Sequence, residues 1–226
     1  MQIANFINSC GTLSLINFAK KHHEALSNLD IETFVGLAPR VEDTIATLET
    51  AFGVRRPLKA AWVAATAAKD AADDALDTEI GDTSYELLGP KQLNGDRRHP
   101  DYRALFPNGN IQFIHGPDRE EVVQIKAMVA YLEQHPEHPL AGRAEALKTK
   151  VQALEDALSP MTEAKSALRD AEDKERVARD ALAPVLRKNA AILRAEYMDE
   201  DKVAAFFPPV PVQGNDDEAA DGDSPS

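Results

Sequence analysis

Residues Arg40–Phe52 read RVEDTIATLETAF, and residues Ala146–Leu158 read ALKTKVQALEDAL. In the first stretch Val41, Ile45, Leu48 and Phe52 recur at steps of four, three and four. Leu147, Val151, Leu154 and Leu158 do the same in the second. That spacing puts four apolar side chains on one face of a helix. The two faces also share a register. A shift of 106 positions lays residues 13–76 over 119–182 without a gap, and nearly every apolar position stays apolar although about one position in five is identical. Solenoid repeats run to roughly 20–50 residues, so a period this long implies domain-sized copies.

The same register extends in both directions. Upstream, Ile16, Ala19 and Leu26 match Val122, Ile125 and Leu132, again at helical spacing. Turns follow at Asn28–Asp30 in the first copy and at His135–Pro139 in the second, where two prolines cannot lie inside a helix. Downstream, Gly53 and Pro57 are expected to end one helix, and Ser159-Pro160 to end its counterpart and cap the next. A third helix then carries Leu58, Trp62, Ala65, Lys69, Ala72 and Leu76, matched by Ala164, Leu168, Ala171, Glu175, Ala178 and Leu182. This is a heptad seam of about three turns of the coiled-coil repeat, rich in alanine, which suits close antiparallel helix packing. Trp62 and Leu168 are expected in the core.

Pro184–Tyr197 reads as a fourth helix, with Val185, Leu186, Ile192 and Leu193 as its apolar set. Each copy closes on a short apolar turn stopped by proline, Ala104-Leu105-Phe106-Pro107 and Ala205-Phe206-Phe207-Pro208. Ile111–Ile114 and Val210–Val212 read as extended, and from Asn215 onward the chain is acidic and aperiodic, a composition that does not fold. The expected architecture is therefore all-α: two tandem copies of a helical-bundle unit of three to four antiparallel helices, residues 1–112 and 113–213, followed by a disordered acidic tail, 214–226.

Composition narrows the function classes. The formal net charge is -13, and the tail acids Asp216, Asp217, Glu218, Asp221 and Asp223 account for five of these, leaving -8 on the rest. Such a surface repels polyanions, which argues against nucleic acid and anionic membranes as partners. The pairs Arg55-Arg56 and Arg97-Arg98 read as solvated. Cys10 is the single cysteine, so neither an internal disulfide nor a cysteine zinc site is available. Residues 1–18 lack a basic n-region and no apolar run reaches membrane-spanning length, so a cytoplasmic protein without a transmembrane segment is expected.

Catalytic equipment is not legible. His22-His23 point about 100° apart on a helix, His135 and His138 sit in a proline turn, and their counterparts in the first copy are Leu29 and Glu32. Converging metal ligands need a different spacing, and these histidines read as surface residues. Asp70, Asp73, Asp74 and Asp77, and Asp170, Glu172, Asp173 and Glu175, interleave with Lys69, Lys174, Arg176 and Arg179 as solvated ion pairs. No nucleophile elbow, Walker sequence or dinucleotide fingerprint is present. The expectation is a non-catalytic structural or interaction protein without cofactor or metal, a scaffold or assembly subunit whose partner is another protein or a second copy. The alternative is a bundle that holds a lipid or other apolar ligand or lies on a membrane surface. The candidate partner-binding segment is Phe206, Phe207, Pro208, Pro209 and Val210, apolar and stiffened by proline. Plugging of each bundle by Phe106 and Phe207 is the structural reading of the same residues.

Overall fold

A computed structural model describes residues 10–28, 34, 36–107, 109 and 118–209. Every regular element among them is helical: α1 (Thr12–Ser27), α2 (Leu37–Leu87), α3 (Pro100–Leu105), α4 (Asp118–Gln134), a 3-10 turn (Ala141–Arg143), α5 (Ala144–Tyr197) and α6 (Glu200–Ala204). The expected extended segments 111–114 and 210–212, the connector from 110 to 117 and the acidic tail lie outside the described residues.

The expected breaks at Gly53–Pro57 and Ser159-Pro160 do not occur. Both α2 and α5 run straight through them. Proline removes one backbone donor and crowds the carbonyl four residues earlier. Here Pro57 and Gly53 are both exposed, as are Pro160 and Asp156, so water can take the freed carbonyl. Helical turns packed on either side then hold the backbone in register.

The chain divides into two compact units, Met1–Leu58 with Ala167–Ser226, and Lys59–Ser166. This division runs differently from 1–112 and 113–213, because each unbroken long helix supplies residues to both units.

In the first unit, α1 buries Leu15, Ile16, Phe18, Ala19 and Leu26 against Val41, Ile45 and Leu48 of α2 and Leu182, Leu186 and Leu193 of α5. Full burial of one such side chain is worth roughly 1.5–3 kcal/mol. Val203 and Phe207 close the cluster. In the second unit, Val122, Ile125, Val129 and Leu132 of α4 pack with Leu147, Val151 and Leu154 of α5, and with Leu76, Ile80 and Leu87 of α2. Tyr102, Leu105 and Phe106 complete it.

The Asn94-Gly95 turn brings the chain back toward α2. Both residues have positive φ, 47° and 83°, and Gly95 N–H donates to Leu88 O at 2.8 Å. The left-handed region strains a side chain, which glycine avoids and asparagine tolerates.

The heptad seam is sided as its spacing requires, but unequally. Leu168, Ala171, Glu175, Ala178 and Leu182 are buried, whereas Leu58, Trp62, Ala65, Lys69 and Ala72 are only half-buried. Trp62 is thus not a core residue. Phe52 and Leu158, the last members of the two deciding faces, are likewise half-buried, each packed on the edge of its unit's cluster.

Candidate functional site

The segment after α5 is held by local chemistry. Asp199 caps α6, accepting from the N–H groups of Asp201 and Lys202, and this satisfies donors that a helix start leaves orphaned. The short helix delivers Val203 and Phe207 to the core of the first unit. The Phe207 ring stacks on His22 with centroids 4.1 Å apart and planes at 11°, and lies 6.2 Å from Phe18. Phe206 is half-buried and stacks on Tyr197 at 5.6 Å, which in turn stacks on Phe34 at 5.7 Å.

Phe206 and Phe207 therefore engage their own unit. Pro208 is half-buried and Pro209 exposed; Val210 lies outside the described residues. A shallow groove of about 640 Å³ runs beside them, lined by Lys21, Ala25, Ala204 and Ala205 together with the Phe-Phe-Pro-Pro stretch.

His22 is fully buried, which corrects the surface reading. Its Nδ1 lies 2.8 Å from the Phe206 carbonyl and must donate there, so in the neutral ring Nε2 accepts from Asn189 Nδ2 at 3.2 Å. Burial lowers its pKa from the ordinary 6.5 to about 4; the Phe206 carbonyl opposes this, and His23 adds a smaller lowering. His138 is buried as well, and burial again lowers its pKa. Its Nδ1 accepts the Leu140 N–H at 3.2 Å, a contact that shapes the proline turn.

Glu175 and Arg55 also depart from the solvated reading. Glu175 is 7% exposed, its carboxylate lies 2.7 Å from Arg55 Nε, and it accepts from the Thr12 hydroxyl. Thr12 in turn accepts from Arg179, which also donates to the Cys10 carbonyl at 2.7 Å. This network pins the entry to α1. Arg176 and Asp173 form a solvated pair at 2.9 Å as expected, whereas Lys69 pairs with Asp73 at 3.1 Å with both side chains largely covered. Among the described residues no three His, Cys, Asp or Glu side chains cluster so as to hold a metal ion.

A second surface escaped the sequence reading. On the first unit, α2 and α5 leave an open groove of about 790 Å³, lined by Ala46, Ala51, Val54, Ala171, Val177 and Ala181 among others. Val54 and Val177 are 47% and 62% exposed. The missed signal is the set Ala46, Thr50 and Val54, spaced by four beside the buried face, opposite Ala171, Val177 and Ala181. No helix among the described residues is long and apolar enough to cross a membrane.

Comparison with known protein families, with curated proteins and with solved structures finds nothing that matches this chain.

Proposed function

We propose that this protein is a non-catalytic structural or interaction protein, a duplicated helical bundle that acts as a scaffold or assembly subunit. The observation that carries the reading is the apolar groove between α2 and α5 of the first unit. Its alanines let a third helix approach closely, and valines left exposed among the described residues favour an occupant that is itself a protein helix. Duplication is supported by the register of residues 13–76 and 119–182 and by the order short helix, long helix, short helix, which occurs as α1, α2, α3 and again as α4, α5, α6. The acidic balance weighs against nucleic acid.

Light scattering and native mass spectrometry on the purified full chain test the proposal. The expected result is a protein assembly that Val177→Asp dissolves. A retained lipid or other small apolar mass, lost in the same variant, would replace this reading with the ligand-binding one.

A further inference from the structure

We infer that the chain is a covalently joined pair of assembly-competent repeats, and that Arg55, Lys69 and Glu175 decide which repeat pairs with which. The inference rests on reading the chain as a duplication. Each compact unit then combines the front of one repeat with the back of the other. The first unit takes α1 and the start of α2 from repeat one, and the end of α5 with α6 from repeat two. The second takes α4 and the start of α5 from repeat two, and the end of α2 with α3 from repeat one.

The buried contacts correspond position by position. On the fronts, Val41 and Leu48 match Leu147 and Leu154; on the backs, Leu182 and Leu186 match Leu76 and Ile80, and all of these are buried. Phe207 and Phe106 close their respective clusters in the same way. Apolar burial has no direction, so on these contacts alone either front could accept either back. A free second copy of repeat one would be as good a partner as repeat two.

Charge removes that ambiguity. In the first unit Arg55 meets Glu175 at 2.7 Å, with side chains 20% and 9% exposed. The position in repeat one that matches Glu175 is Lys69, whose side chain is 14% exposed. Lys69 is already paired with Asp73 at 3.1 Å and Asp70 at 3.4 Å. Pairing repeat one with itself would therefore set Arg55 against an occupied ammonium in place of the Glu175 carboxylate. The poorly solvated guanidinium would lose its direct partner, which disfavours that pairing. In the second unit Arg143 pairs with Glu79 at 3.0 Å and with Glu86 at 2.7 Å. Carrying the 106 shift on along the two long helices places Val185 and Ile192 opposite Glu79 and Glu86, so self-pairing of repeat two would deprive Arg143 of both carboxylates. Each repeat is thus matched to the other one and mismatched to itself.

The test uses the full chain carrying a protease recognition sequence inserted between residues 107 and 118, cut after folding. The two pieces should co-elute as a 1:1 complex, with a melting midpoint that falls on dilution only after the cut. Denatured and refolded together, they should return the 1:1 pair in native mass spectrometry. Lys69→Glu should raise self-paired repeat one about tenfold, because Arg55 then meets a carboxylate. Arg55→Glu should do so too, by facing Lys69 in the self-pair and repelling Glu175 in the native one; it guards against misfolding of the first variant. Separation of the cut protein into two independently folded pieces would overturn the inference and leave the duplication standing as two tandem bundles. Pieces that stay together while neither variant raises self-pairing would overturn the role given to Arg55, Lys69 and Glu175, and the duplication reading, which rests on the sequence register, would stand.

Discussion

The imidazole of His22 and the ring of Phe207 lie nearly parallel, 4.1 Å apart, and the Phe206 carbonyl beside them accepts from His22 Nδ1. One fully buried histidine thus ties α1 to the last described segment of the chain. At the 106-residue shift Met128 stands where His22 stands, and it too is buried, which makes methionine the substitution of choice at residue 22.

A pH dependence follows. With a folded pKa of about 4 against an ordinary 6.5, the unfolded chain takes up a proton in acid that the folded one refuses. The stability associated with neutral His22 is fully present above pH 6.5 and is lost as pH falls toward 4, about 3 kcal/mol in all. His22→Met should flatten this difference. Denaturant midpoints of both proteins across that window check it; parallel curves would show that His22 does not titrate in this way.

Truncation separates the aromatic anchor from the chain behind it. Ending the chain at 214 should leave the melting midpoint unchanged, since the first unit's described core reaches no further than Phe207. Ending it at 205 removes Phe206 and Phe207, uncovers His22 and Phe18, and should cost about 3–5 kcal/mol, the range for loss of a buried phenylalanine. Equal melts of the two truncated chains would mean that the stacks contribute nothing.

Met198 follows α5 with φ at 48°, a left-handed conformation that favours glycine, and its side chain is 90% exposed. Met198→Gly should therefore stabilise the protein by about 0.5–1 kcal/mol, after glycine's own entropic cost is offset against the relieved strain. A lower melting midpoint for the variant would refute the strain argument.

Val177→Asp changes a side chain that is 62% exposed, so folding stability should move by less than about 0.5 kcal/mol while any assembly through the groove is lost. A large drop in melting temperature would place Val177 in a core contact instead.

Trp62→Ala should cost about 1–2 kcal/mol, below the 3–5 kcal/mol expected for a fully buried tryptophan, because the ring is only half-buried. Thermal melts decide between the two magnitudes.

Helix identity and facing were legible from local spacing. Val41, Ile45 and Leu48, and Leu147, Val151 and Leu154, are buried as their intervals require, because the side-chain period of a helix is set by backbone geometry alone. The apolar turns Ala104 to Phe106 and Ala205 to Phe207 were also marked in the sequence by large apolar residues before proline, but the burial of Tyr102 and Val203 beside them was not. The groove on the first unit was legible only in part: the alanines and valines were visible, but not that the described residues would leave them exposed.

Three matters were decided by tertiary structure. Whether Gly53–Pro57 and Ser159-Pro160 break a helix depends on packing on either side and on water at the freed carbonyl, and neither is a property of the dipeptide. Which segments share a core followed from that continuity, since each unbroken long helix supplies residues to both compact units. The fate of His22, Arg55 and Glu175 depended on partners 120 or more positions away in sequence, Asn189 and Phe206 for His22, and each other for Arg55 and Glu175. Local periodicity specifies which way a side chain faces along its own helix. Which residue it meets there is set by the pairing of distant segments, and so only by the folded chain.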